Sequence, residues 1–161
     1  MTSRDAITTF LWRGPGALSS LAARWSVNLL AAAGAAMLGW SAQIHLDLWA
    51  QGYKDISVIG PLFLIQGIAC ALLTIVVVAF RRLALLAIGA ATLVATAAGL
   101  LLSVNYGLFG FKDSLLVPDA KASLIGELVG GGLLVVGALV LMLARQRVLV
   151  AGNPSREPSR T

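Results

Sequence analysis

Four long apolar stretches without lysine or arginine constrain this chain more than any other feature of its sequence. They run over residues 27–44, 58–80, 83–104 and 124–144. A helix needs about 20 apolar residues to cross the hydrocarbon core of a bilayer. The strands of a transmembrane β-barrel alternate apolar and polar residues, which these continuous apolar runs do not. The α-helix is the other structure that satisfies all its backbone hydrogen-bonding groups in lipid. The sequence therefore predicts an all-α membrane protein, a four-transmembrane-helix bundle.

The composition excludes several classes of protein. Hydrophobic residues make up 58% of the 161 residues and charged residues 12%, about half the charged share of a soluble domain. The net charge of +5 comes from residues that flank apolar stretches, so we expect no nucleic-acid partner. The single cysteine, Cys70, excludes an intrachain disulfide and a multi-cysteine zinc site. We find no catalytic motif and expect no cofactor or metal, although an unfamiliar lipid-modifying enzyme stays open.

The basic residues predict how the chain crosses the membrane. Every arginine lies before the first stretch, between the second and third, or after the fourth, whereas Lys54, Lys112 and Lys121 lie on the opposite side. Loops rich in arginine and lysine stay in the cytoplasm. We therefore expect a multi-pass protein of the cell (plasma) membrane with both termini cytoplasmic and with anionic lipids against its cytoplasmic face.

Three parts of the chain are expected to differ in structure. Residues 1–26 read as a cytoplasmic interfacial segment, because Trp12, Leu18 and other apolar side chains suit contact with a membrane surface. Residues 27–144 form the four-helix transmembrane domain. Residues 145–161 read as a cytoplasmic tail that is largely disordered, since their end is polar and contains proline.

A short sequence echo indicates a possible internal repeat. Residues 52–55 (GYKD) resemble residues 110–113 (GFKD), and each precedes a helix that contains an amide or carboxyl side chain, Gln66 or Glu127. A true repeat would make the chain two tandem helical hairpins. Gln66 and Glu127 would then face one central interface.

Polar side chains in the membrane segments define the candidate ligand-binding site. Ionisable and amide groups are expensive in lipid and are functional candidates by default. They fall in the outer third of the helices and are Glu127, Gln66, His45, Gln43 and Asn105. The functional hypothesis is a polar pocket open to the outside. The alternative is that these groups form hydrogen bonds between helices or with interfacial water.

The two outer loops resemble a pattern in small four-span membrane proteins of actinobacteria. The resemblance rests on residues 45–49 (HLDLW), 52–53 (GY), 59–64 (IGPLFL) and 107–111 (GLFGF). Residues 54–57 (KDIS) depart from it, because that family has a basic residue or histidine followed by Ile-Pro there. Those proteins are uncharacterised, so the resemblance implies a multi-pass plasma-membrane protein and no particular activity.

Two functions of different classes follow from these observations. The first is an accessory or scaffold protein that binds a larger membrane protein or a second copy of itself, favoured by small size and by small-residue patterns such as Gly126-x-x-x-Gly130. The alternative is binding or transport of a small molecule, an ion or a lipid through the outward-facing pocket around Glu127.

Overall fold

The computed structural model describes residues 20–151, together with five residues of the N-terminal segment. Those five are Thr8, Trp12, Gly14, Pro15 and Leu18. No β-strand is present in the described part of the chain, where four long α-helices follow one another. Each of the four is long and apolar enough to cross a membrane. The predicted all-α fold with four membrane-spanning helices is therefore confirmed.

The helices are joined by short connections. Their bounds are α1 (Leu21–Ala50), α2 (Ile59–Phe80), α3 (Leu83–Tyr106) and α4 (Pro118–Ala151). A single-turn 3₁₀ helix, Tyr53–Asp55, follows α1. Because consecutive helices run in opposite directions, residues 51–58 and 107–117 lie at one end of the bundle, called here the loop end. The opposite end is called the termini end.

Three helices extend beyond their predicted bounds: α3 by two residues at its end, and α1 and α4 by six or seven residues at both ends. α1 begins six residues before the expected start at residue 27, because the Ser20 side chain accepts a hydrogen bond from the Ala23 amide, 3.3 Å away, and caps the helix. α4 continues to Ala151, so the first seven residues of the expected tail are helical. The rest of that tail lies outside the described residues, as does most of the expected interfacial segment.

The two echoed loop segments differ in conformation. Residues 53–55 form the 3₁₀ helix, whereas Leu108 and Phe111 exchange backbone hydrogen bonds of 2.7 and 2.8 Å in a tight turn. Gly110 adopts a φ of 80° within that turn, which glycine tolerates better than other residues. The sequence similarity is therefore not matched by similar loop structure.

The helices form a ring that is tightly packed on three sides. α1 packs along α2 and α4, and α4 packs along α3, whereas α2 and α3 contact each other far less. Small residues allow close packing between α1 and α4. A Cβ atom added at Gly34 would lie only 2.5 Å from Cγ of Leu134. Small residues at helix crossings commonly permit such packing in membranes.

The core fills the bundle from its middle to the termini end. Its fully buried side chains include Leu38, Leu86, Leu93, Leu134 and Leu141. Leu18 also belongs to this core and is 1% exposed, so the expectation that it contacts the membrane surface is wrong. The Arg24 side chain holds it there by donating a 2.5 Å hydrogen bond to the Leu18 carbonyl.

Candidate functional site

A cavity of about 410 Å³ lies inside the bundle at its loop end. All four helices and both loops contribute to its wall, and we call it the loop-end cavity. It lies beside the interface of α2 and α3, which contact each other far less than the other neighbouring helices do. Its size falls within the range of small-molecule sites, which are commonly apolar with a few polar groups.

Glu127 of α4 is the most deeply buried polar group of the cavity wall. Its side chain is 0% exposed. One carboxyl oxygen, Oε1, accepts a hydrogen bond of 2.6 Å from the Ser123 hydroxyl and one of 3.4 Å from the Ser41 hydroxyl. The other oxygen, Oε2, has no hydrogen-bond partner among the described residues. A buried acceptor of this kind is rare in proteins and calls for an explanation.

His45 of α1 presents a second acceptor. Its Nδ1 lies 2.8 Å from the backbone carbonyl of Ser41. A carbonyl only accepts hydrogen bonds, so Nδ1 carries the proton, and Nε2 is the acceptor of the neutral ring. Ser41 also places its hydroxyl 3.5 Å from Nδ1, so this serine touches both His45 and Glu127.

Gln66 of α2 completes a set of three polar side chains in the wall. Its amide nitrogen donates hydrogen bonds to Thr96 Oγ1 of α3 and, over 3.3 Å, to Cys70 Sγ. The carbonyl oxygen of Gln66 accepts no hydrogen bond from any described residue. Gln66 therefore links the two loosely packed helices and keeps a free acceptor.

Aromatic rings form the loop-end part of the wall. The Phe63 ring lies 5.0 Å from the His45 ring and 4.7 Å from the Tyr53 ring. Tyr53 in turn meets Phe111 edge-on, with ring centres 5.4 Å apart. Phe109 lines the same region and is 65% exposed. The rings therefore connect the 3₁₀ helix, α2 and the second loop around the mouth of the cavity.

The formally charged side chains of the cavity wall are all acidic. Asp113 and Asp119 line it together with Glu127, whereas no lysine or arginine does so. No ion pair joins any of the described residues, and the three lysines near this end are exposed. Carboxylates without paired cations produce a negative potential that attracts positive ligands.

Nearby carboxylates also affect the pKa of Tyr53, which lies outside the spanning helices. Partial burial raises the pKa of the Tyr53 hydroxyl, and the nearby carboxylates of Asp113 and Asp119 raise it further. The phenol is therefore neutral at physiological pH and is able to donate a hydrogen bond. Asp113 itself is held by its backbone amide, which donates to Ser103 Oγ over 3.2 Å.

The structure brings together three of the five side chains singled out from the sequence. Glu127, Gln66 and His45 line the loop-end cavity. Gln43 and Asn105 are exposed and lie outside its wall. The Asn105 amide instead donates a 2.7 Å hydrogen bond to the Leu101 carbonyl of its own helix.

Sequence reasoning missed the serines that hold these groups. Ser41 precedes His45 by four residues, and Ser123 precedes Glu127 by four. Residues four apart lie on one face of a helix, so this spacing is the signal that could have found them. No group of three or more metal-ligating side chains is present in the part of the chain that the structure describes.

Four helices long and apolar enough to cross a membrane indicate a multi-pass membrane protein. No family model matches its sequence. No curated protein and no solved structure shows significant similarity to it either.

Proposed function

We propose that this protein is a receptor or carrier in the cell membrane for a small organic cation. In this proposal both termini are cytoplasmic, since Arg24, Arg81 and Arg82 lie at the termini end and the sequence has no arginine in the two loops at the other end. The loop-end cavity then faces outside. This is the ligand-binding hypothesis of the sequence analysis, narrowed to one chemical class.

The observation that carries the proposal is the unpartnered Oε2 oxygen of Glu127. Burying an ionised carboxylate without a partner costs several kcal/mol. A bound ammonium group would supply both the missing hydrogen bond and the missing charge. The aromatic wall supports the same class, because cations are stabilised over the faces of aromatic rings. An anion would meet three carboxyl groups and no lysine or arginine in this wall.

Octylamine binding to the protein in nanodiscs tests the proposal. Glu127→Gln keeps the shape of the side chain and removes its charge. We expect it to weaken octylamine binding at least about thirtyfold, because loss of a buried charge partner costs about 2 kcal/mol or more. Asp47→Asn is the matched control, since Asp47 is an exposed carboxylate at the same end outside the cavity.

Two outcomes would refute the proposal. One is equal octylamine affinity in wild type and Glu127→Gln. The other is equal affinity of the wild type for octylamine and octanol, which have the same chain and differ in charge. Gly99→Leu tests whether a larger side chain in the cavity weakens octylamine binding, because Gly99 lines the cavity with open space beside it. Gly132→Leu, on α4 outside the cavity and equally uncrowded, is its control.

The scaffold hypothesis finds less support in the packing. Its expected small-residue surface, Gly126-x-x-x-Gly130, is used within the bundle. A Cβ atom at Gly126 would lie 3.4 Å from the Trp40 ring, and one at Gly130 would lie 2.8 Å from Cδ1 of Leu93. Bulky substitutions at these glycines would therefore disturb the fold itself rather than a surface offered to a partner.

A further inference from the structure

The wall of the loop-end cavity is incomplete between α2 and α3. These helices are joined at the termini end by only Arg81 and Arg82. Toward the loop end they remain linked by the hydrogen bond from Gln66 to Thr96 but pack much less than the other neighbouring pairs. The cavity is therefore open sideways, through the ring of helices.

The depth of this opening determines what lies outside it. Ala95 lines the cavity and is also exposed at the protein surface. It precedes Tyr106, the loop-end residue of α3, by eleven residues, which places it about 16 Å along the helix from that end. The hydrocarbon core of a bilayer is about 30 Å thick. The surface around Ala95 is therefore in contact with lipid chains, not with water.

The borders of the opening suit an alkyl chain. Leu62 of α2 and Leu100 of α3 belong to the cavity wall on the two helices that border the opening, and Leu62 is 45% exposed. Gly99 lies between Ala95 and Leu100 with nothing within 4 Å of the position that a Cβ atom would occupy. The polar groups, in contrast, lie inside the bundle. An amphiphile could therefore keep its chain at the opening and its polar group within the cavity.

The cavity holds three acceptors without partners, the same number as the N–H groups of a primary ammonium. They are Glu127 Oε2, His45 Nε2 and the Gln66 carbonyl oxygen, and none of them receives a hydrogen bond from a described residue. An R–NH₃⁺ group donates three hydrogen bonds, as the lysine ammonium does. A quaternary ammonium donates none and would leave all three acceptors without partners.

We propose that the natural ligand is a membrane amphiphile with a primary ammonium group, which reaches Glu127 sideways from the bilayer between α2 and α3. The ammonium binds among Glu127, His45 and Gln66, and the alkyl chain extends through the opening into the lipid. This inference rests on the proposed function and names its ligand class and its route.

Chain length and methylation of the probe test the ligand class. Hexadecylamine and butylamine are titrated against the protein in nanodiscs, and bound ligand is counted by native mass spectrometry. We expect hexadecylamine to bind, because its tail leaves the cavity through the opening. Hexadecyltrimethylammonium should bind at least about tenfold more weakly, as expected where polar groups of a site are left unpaired. Rejection of hexadecylamine by a protein that binds butylamine, or equal binding of the methylated probe, would overturn the inference.

A substitution at the opening tests the route. Ala95→Phe narrows the opening, whereas Ala98→Phe places the same ring on an exposed part of α3 outside the cavity wall. We expect Ala95→Phe to weaken or slow hexadecylamine binding at least about tenfold, the effect of a steric misfit in a pocket. Ala98→Phe should leave hexadecylamine binding unchanged. Equal behaviour of the two variants would overturn the sideways route.

These results separate the two proposals. Loss of hexadecylamine binding in Glu127→Gln but not in Ala95→Phe refutes the route and leaves the cation site intact. Binding of neither butylamine nor hexadecylamine refutes the proposed function and the inference together. Circular dichroism and gel filtration of each variant show that the bundle is still folded.

Discussion

Gly34 is the position where one added methyl group tests the packing of the bundle most directly. A Cβ atom there would lie 2.5 Å from Cγ and 2.6 Å from Cδ2 of Leu134, which is fully buried. Overpacking of this kind costs about 2 kcal/mol. Replacing glycine by alanine within a helix returns about 1 kcal/mol. Gly34→Ala should therefore lower the free energy of unfolding by about 1 kcal/mol.

The sign of this effect should reverse once Leu134 is truncated. Leu134→Ala alone removes buried packing and should cost about 2–5 kcal/mol. In that background no leucine side chain opposes the new methyl group, so Gly34→Ala should raise the free energy of unfolding by about 1 kcal/mol. The two substitutions are then coupled by about 2 kcal/mol, which is typical of residues in direct contact.

The assay is reversible unfolding in mixed micelles, followed by circular dichroism as the fraction of denaturing detergent rises. Gly132→Ala is the control, because a Cβ atom there has nothing within 4 Å. It should stabilise the protein by about 1 kcal/mol whether or not Leu134 is present. An equal effect of Gly34→Ala in both backgrounds would refute the assigned contact between α1 and α4.

Two further predictions concern the loop end and the opening. In a Tyr106→Phe background, ultraviolet titration should give Tyr53 a pKa above 10.0. Asp113→Asn should lower that pKa. Because folding raises this pKa, the free energy of unfolding should fall as the pH rises above 10.0. A Tyr53 pKa that is unaffected by Asp113→Asn would contradict the charge effect. Thr96→Val removes the hydrogen bond between α2 and α3 and should lower the free energy of unfolding by about 0.6 kcal/mol. Thr92→Val should not, since that hydroxyl bonds within α3.

Most of the fold could be predicted because membrane helices carry a strong compositional signal. The four apolar stretches correspond to the four helices, whereas the helix ends were less accurate. Hydropathy does not determine where α1 begins, since the capping serine, Ser20, precedes a segment that contains Arg24. The sequence also does not predict which helices pack together. Small residues indicate close packing, but they do not identify the helix that packs against them.

The grouping of the candidate polar side chains was predicted only in part, since three of the five line one cavity. Glu127, Gln66 and His45 stood out because polar groups are costly at membrane depth. Gln43 and Asn105 satisfied the same criterion but lie outside the cavity wall. The criterion gives the depth of a residue along its helix and not the direction in which its side chain points. The aromatic residues at the mouth, such as Phe63, depend on the packing of α2 and both loops.

The apolar core between the cavity and the termini end should prevent ions from passing through the bundle. From Glu127 to Leu141, α4 runs for about 21 Å, and over that distance the centre of the bundle is filled with side chains that have no exposure to solvent. An ion entering this region would lose its hydration without finding a polar replacement. The bundle should therefore conduct no ion current in a planar bilayer unless the helices rearrange. A ligand that arrives at Glu127 leaves on the side from which it came, unless the helices rearrange.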